Sequence, residues 1–216
     1  MLAPASVQEL YELTVEAFNI ADKYRNPVVI LGDGYLGQMM EAVEFRDEEP
    51  IVDVDKDWAT CGHGMKREHN VTTSIYIDPN VLEAHNNKLQ TKYLKIKEKE
   101  TRAQVVNCDD ADVIVVAYGT VARVVKNVIK DAEKLGIKVG LIRPITLWPF
   151  PTEVFEKYAT VPKGFLTVEM SAGQMVEDVR LAINGKNTVD FHGRMGGNVP
   201  TQKDILEKVR QIAERK

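Results

Sequence analysis

A chain of 216 residues with 44% hydrophobic and 28% charged residues has a globular composition, long enough for one large domain or two small ones. Its 28 basic and 32 acidic residues give a net charge of −4, which argues against a large cationic surface and against nucleic acid as a main partner. No apolar run approaches the ~18 residues of a membrane span, and the start Met1 to Leu10 lacks the basic and apolar blocks of a signal peptide. Cys61 and Cys108, the two cysteines, are too few for a disulfide framework or for the thiolate set of an iron–sulfur cluster, and a reducing, cytoplasmic setting is expected.

Ser6 and Glu9 form a capping box, and Val7, Leu10, Tyr11, Thr14, Ala17, Phe18 and Ala21 recur at helical spacing, which predicts a helix to about Tyr24. Asn26-Pro27 ends it. Val28 to Leu31 is a short apolar run without polar alternation, the pattern of a parallel strand buried on both faces. One helix and one such strand do not make a domain. The strand needs neighbours from later segments, from another polypeptide, or from a longer chain of which this is part, and the last two are expected.

Arg46 to Pro50 reads as a polar turn, Cys61 to Asn70 as a loop, and Thr72 to Ile77 as a strand. Asp78-Pro79 starts a long helix, with Asp as N-cap and Pro in the first position. Its Val81, Leu82, His85, Leu89, Tyr93 and Ile96 form a narrow apolar stripe among Lys and Glu. From Ala111 onward strand and helix alternate. Strands are predicted at Val113 to Ala117, Val139 to Ile142, Phe165 to Val168 and about Val189 to His192. Helices are predicted from Val121 to Leu135, Thr152 to Tyr158, Gln174 to Ile183, and after Thr201 with Asp204. Such alternation implies an α/β fold, a mainly parallel sheet with helices on both faces.

Gly32-Asp33-Gly34-Tyr35-Leu36-Gly37 fits G-x-G-x-x-G after a strand, with Asp53 about twenty residues on, which opens an NAD-binding reading through Gly32, Gly34, Gly37 and Asp53. The helix that this loop must open, Gln38 to Phe45, is short, and a plain glycine turn is preferred. Gly32-Asp33-Gly34 also matches the start of the thiamine diphosphate motif, but Thr60 to His63 stand where its asparagines belong, so the chain is not expected to hold Mg²⁺. Cys61, His63 and His69 lack a second pair for zinc. Glu169 to Gly173 enters a helix from a strand's carboxyl end, where ligands bind and where Ser171 also serves as a cap. Arg143 lies at the equivalent end of the neighbouring strand, placed to clamp an anion or to pair with acidic residues of a facing subunit. No Ser/His/Asp or Cys/His nucleophile stands out.

Ala111 to Thr120, Gly140 to Pro151 and Val168 to Met175 resemble the transketolase C-terminal type of domain. With Leu2 to Glu9, Ala21 to Val28, Asp33 to Glu41, Leu82 to Asn86 and Gly193 to Gly197, they resemble the alpha subunit of 2-oxoacid:ferredoxin oxidoreductases, of the 2-oxoglutarate or 2-oxoisovalerate branch. The resemblance implies a division into residues 1–45, the end of a thiamine pyrimidine-binding domain; residues 46–104, a linker with a strand and a long helix; and residues 105–216, a transketolase C-terminal-like domain. It implies oxidative decarboxylation of a 2-oxoacid to an acyl-CoA. The family's cofactors are thiamine diphosphate with Mg²⁺, [4Fe–4S] clusters and coenzyme A, none bound by this chain alone.

The implied partners are a thiamine-binding beta subunit, other oxidoreductase subunits and, through the complex, ferredoxin. The family's Tyr-Pro-Ile-Thr-Pro-Ser-like signature is absent, so the chain is expected to start inside the pyrimidine domain and to carry no catalytic residue. Asp33, Gly34, Gln38, Arg143, Glu169, Gly196 and Gly197 are the candidates for lying near a cofactor site at the subunit boundary. The rival readings are the NAD-binding enzyme and a stand-alone interaction domain.

Overall fold

The computed structural model describes residues 1–45 and 54–215. The first helix, α1 (Val7–Tyr24), opens on Ser6, whose hydroxyl accepts the Glu9 N–H at 3.1 Å, while the Glu9 carboxylate accepts the Ala5 N–H at 2.8 Å. The Ser6 half of the predicted box is present, while the Glu9 side chain takes the N–H one residue before the cap. The long helix α2 (Pro79–Glu100) starts where Asp78 accepts the Asn80 N–H at 2.8 Å. The sheet follows: β1 (Ala103–Val106), β2 (Val113–Val116), β3 (Val139–Pro144), β4 (Gly164–Glu169) and β5 (Val189–Gly193). Its helices are α3 (Gly119–Glu133), α4 (Thr152–Tyr158), α5 (Met175–Ile183) and α6 (Gln202–Ala213).

The strand order is β1-β3-β2-β4-β5, with every pair parallel except β1 against β3. Successive residues of β2 feed opposite faces. Val113 and Val115 pack with Leu141, Leu166, Val168 and the inward residues of α3 and α6. Ile114 and Val116 pack with Ile142, Phe165 and the inward residues of α4 and α5. The central strands are buried on both sides, which is why they read as continuous apolar runs. Helices lie on both faces, as expected.

Residues 1–45 attach to this sheet differently. Leu2 lies between two segments, bridged in parallel to Ile30 and antiparallel to Thr146. Its N–H donates to the Val29 carbonyl at 2.8 Å, and its carbonyl accepts the Leu31 N–H at 2.7 Å. Among the described residues Leu2, Leu13 and Ala17 form one buried cluster, with Ile20, Val28, Ile30 and Ile145 around them, and Ala3, Ala5 and Leu36 are buried as well. Charged clasps add to this contact. Arg143 on β3 grips both Glu9 oxygens at 2.8 and 2.7 Å, and Arg102 grips both Glu16 oxygens at 2.6 Å. Lys23 reaches Glu100 at 2.8 Å, and Arg123 reaches Glu41 at 2.6 Å.

Several expectations need correction. Val28 to Leu31 is not a strand buried on both faces: it carries a single bridge, and Val29 and Leu31 are exposed. No helix runs from Gln38 to Phe45; the chain makes one 3₁₀ turn at Leu36–Gln38 and then lies without regular structure. Thr72 to Ile77 pairs with no strand among the described residues. The apolar stripe of α2 is buried only toward its end, at Ile96, while Val81 and Leu82 face solvent. β1 has no counterpart in the sequence pattern, because a half-buried four-residue edge strand leaves no burial alternation to read. The predicted polar turn at Arg46 to Pro50 and the acidic residue Asp53 lie outside the described residues.

Candidate functional site

The strand order creates one place where consecutive connections diverge. From β2 the chain passes through α3 to β3; from β4 it passes through α5 to β5, on the other side. In open α/β sheets the crevice beyond the carboxyl ends of two such strands is where ligands bind. Here it is a cleft of about 260 Å³, lined by Tyr118 and Gly119 after β2, by Glu169, Ser171 and Gln174 after β4, and walled by Leu31 to Asp33.

The two carboxylates at this cleft have structural partners. Asp33 reaches across 87 residues to the start of α3 and accepts the Thr120 N–H at 2.9 Å and the Thr120 hydroxyl at 2.8 Å. It also accepts the Leu36 N–H at 2.9 Å from its own turn. Burial pushes this carboxyl up, but the hydrogen bonds from Leu36 and Thr120 outweigh it and hold Asp33 below the usual carboxylate range. Gly119 makes the approach possible: at φ +58 a Cβ there would sit 2.9 Å from the Asp33 Oδ2. Glu169, 1% exposed, does the same for α5, accepting the N–H groups of Gln174, Met175 and Val176 and the Ser171 hydroxyl at 3.0–3.3 Å. A carboxylate at a helix N-terminus answers both its unpaired N–H groups and its dipole.

The sequence candidates therefore separate. Asp33 and Glu169 meet at the cleft. Gly34 and Gln38 sit in the turn that Asp33 anchors, exposed to solvent, and Tyr35 donates from its hydroxyl to the Gly197 carbonyl at 3.1 Å, which ties Gly196 and Gly197 to the same turn. Arg143 does not belong to this group. It is 2% exposed and wholly engaged by Glu9 and by Gln104 at 3.0 Å, so it clamps α1 of its own chain rather than an incoming anion. Tyr118, Thr120 and Gln174 were missed as site residues; the strand-to-helix turn Tyr118-Gly119-Thr120 was the available signal. Burial, then the charges of Glu169 and Asp33, push the Tyr118 hydroxyl up, so it stays a proton donor.

This arrangement does not suit a metal–diphosphate group. Both Asp33 oxygens are committed to the N-terminus of α3 and to Leu36, and the helix N-termini that would receive an anion already hold carboxylates. Nor does the glycine turn open a helix, as a dinucleotide fingerprint requires. Cys61, His63 and His69 form no ligand group of three among the described residues. Cys108 is buried, which pushes its thiol up to about 11 and leaves it no thiolate to attack with.

Known proteins account for both regions of the chain. Residues 1–104 match the family model "Pyruvate flavodoxin/ferredoxin oxidoreductase, thiamine diP-bdg", and residues 111–205 match "Pyruvate:ferredoxin oxidoreductase core domain II". The chain is 47% identical over 213 residues to the ketoisovalerate oxidoreductase subunit VorB of Methanothermobacter thermautotrophicus, covering 99% of this chain and 60% of the relative. It is 31% identical over 233 residues to the 2-oxoglutarate synthase subunit KorA of Methanothermobacter marburgensis, covering 96% and 62%. It therefore spans about three-fifths of the length of these relatives. A solved 2-oxoglutarate:ferredoxin oxidoreductase from Magnetococcus marinus, with 2-oxoglutarate, coenzyme A and succinyl-CoA bound, has the same fold at TM-score 0.74 and 18% identity, over 99% of this chain and 42% of that one. Both regions are thus matched, in order along one continuous similarity, by VorB and KorA subunits of 2-oxoacid:ferredoxin oxidoreductases.

Proposed function

We propose that the chain is part of the alpha subunit of a thiamine-diphosphate-dependent 2-oxoacid:ferredoxin oxidoreductase, which decarboxylates a 2-oxoacid oxidatively to an acyl-CoA. The observation that carries this reading is the unbroken 47% identity to VorB across both regions. That value against 31% for KorA favours a branched-chain 2-oxoacid such as 2-oxoisovalerate over 2-oxoglutarate. In this reading a beta subunit holds thiamine diphosphate and Mg²⁺, other chains or domains hold the [4Fe–4S] clusters, and ferredoxin takes the electrons in the cytoplasm.

The chain's own share is to shape the boundary where that cofactor sits. Residues 1–45 are the end of a pyrimidine-binding domain, 46–104 a linker, and 105–216 the transketolase C-terminal-like domain; the two family models, meeting between residues 104 and 111, support the last division. Asp33 and Glu169 hold the cleft in shape from within. Gly34 and Gln38, with Gly196 and Gly197 on the neighbouring turn that Tyr35 ties to them, are exposed and face the partner. The exposed Val29 and Leu31 mark the side on which partner strands complete the sheet.

The test is capture of partners with the full chain from source cells, followed by calorimetry. Thiamine diphosphate with Mg²⁺ is expected to give no saturable heat with the chain alone and saturable binding once the captured beta subunit is present. Micromolar binding of NADH by the chain alone would overturn the reading in favour of the dinucleotide enzyme. A chain that captures no thiamine-binding subunit would favour a stand-alone interaction domain.

A further inference from the structure

The glycine turn is fastened to the sheet domain at two points, and the two differ. Asp33 holds the start of α3 through the Thr120 N–H and hydroxyl, and it takes the Leu36 N–H from its own turn. Leu36 is 2% exposed, so the turn is fixed on both sides of Gly34 and Tyr35. The second point is Tyr35 itself. Half exposed, it reaches out to the loop between β5 and α6, where its hydroxyl donates to the Gly197 carbonyl at 3.1 Å. Among the described residues this is the single hydrogen bond between turn and loop. Nothing lies within 4 Å of where a Cβ would stand at Gly196 or Gly197, so the far side of this contact is not packed in place.

The places of the two points decide what lies between them. Thr120 follows β2 and Gly197 follows β5, and β4 stands between those strands in the sheet. Neighbouring strands are about 4.8 Å apart, so the ends of β2 and β5 are about 10 Å apart. Asp33 and Tyr35 span at most about 7 Å of backbone, and the Tyr35 side chain covers the rest. α3 and α6 pack on one face of the sheet, and Met170, just past the end of β4, packs against that face and lines the cleft. Tyr35 therefore runs from the start of α3 toward the loop before α6, across the end of β4 and on the side where Met170 lies. An exposed side chain changes rotamer within nanoseconds once its one hydrogen bond breaks, whereas Asp33 is held by three. We propose that Tyr35 is a gate on this side of the cleft. It is closed while its hydroxyl holds Gly197, and it opens by swinging on a turn that Asp33 and Leu36 keep in place. The gate needs no other chain, so its test is separate from that of the assembly proposed above.

The test reads entry to the cleft on the full chain carrying Met170→Cys, with the exposed Cys61 replaced by Ser. Cys108 is buried, its thiol pushed up to about 11, and serves as an internal record of unfolding. Iodoacetamide is the probe, a neutral reagent suited to a cleft lined by the carboxylates of Asp33 and Glu169. Tyr35→Phe is expected to raise the alkylation rate at position 170 about 3- to 10-fold, the equivalent of one hydrogen bond. Tyr35→Ala is expected to raise it at least as much. In both, Cys108 should stay unreacted, and the Leu36 and Thr120 amides that Asp33 holds should exchange as slowly as before. A rate at position 170 that neither variant changes overturns the proposal. So does faster exchange at Leu36 and Thr120 in Tyr35→Phe, since the turn would then leave as a whole rather than swing. Alkylation of Cys108 as fast as position 170 in both variants overturns it as well, because Tyr35 would then hold the fold and not the cleft.

Discussion

The two halves of the molecule are held by different forces. Around the sheet, β2, β3 and β4 bury apolar side chains on both faces, and two separate clusters close over them. Among the described residues, residues 1–45 bury fewer apolar side chains, Leu2, Ala3, Ala5, Leu13, Ala17 and Leu36, and charged clasps help join them to the rest of the chain. Apolar burial is non-directional and indifferent to pH, whereas ion pairs are both directional and titratable. The sheet thus rests mainly on apolar packing, and the first forty-five residues are fastened to it in part by ion pairs that acid can loosen.

The largest effect should come from the scaffold itself. Phe165→Ala, at a fully buried position in β4, is expected to cost about 4 kcal/mol and to speed hydrogen exchange in β2 and α1 alike, as expected for a large core truncation. Arg143→Ala should be a local lesion of about 2 kcal/mol, below the cost of breaking a fully buried pair, since the Glu9 side chain it leaves is 31% exposed and keeps the Ala5 N–H. Hydrogen exchange should then speed up in α1 and stay slow in β2. If both elements loosen equally, the distinction between scaffold and fastening fails.

Much of this contrast was legible in advance and some was not. The central strands and the capping box of α1 announce themselves because burial on two faces and local hydrogen bonding leave patterns within a few residues. Arg143 was visible as an arginine at a strand end, but its partner Glu9 lies 134 residues away, a distance no local pattern spans. Asp33 was visible as part of a glycine turn, while its engagement with Thr120 was not. Val28 to Leu31 and Thr72 to Ile77 misled because β-branched composition records a preference for pairing without saying whether this chain supplies the pair.

Acidity gives a smaller and graded probe of the same contrast. Glu9 and Asp33 are held below their usual range, Glu9 by Arg143 and the Ala5 N–H against the opposing effect of burial, and Asp33 by the Leu36 and Thr120 donors against burial. A carboxylate depressed in the folded state adds stability above its unfolded pKa, roughly 4, and that contribution is lost as pH falls through the folded value. Acidification below about pH 4 is therefore expected to release residues 1–45 first. Both tryptophans touch residues 1–45: the Arg25 guanidinium lies over the Trp58 ring at 4.8 Å, and the Met1 ammonium donates to the Trp148 carbonyl at 2.8 Å. Their fluorescence should change at a higher pH than the circular dichroism of the sheet does; coincident transitions would contradict the contrast.

The smallest expected effect follows from the carboxylate that caps α3 from 87 residues away. A helix usually receives its N-cap from the adjacent residue, within the first moments of local structure formation. Here the cap cannot arrive until the glycine turn has docked against a sheet domain already assembled, so Asp33 is a late contact along the folding route. Its removal in Asp33→Ala, about 1 kcal/mol by the usual worth of a cap, should leave the refolding rate unchanged and appear almost wholly as faster unfolding. The turn thus acts as a latch on the kinetic lifetime of the docked state and has little say in how quickly that state is reached.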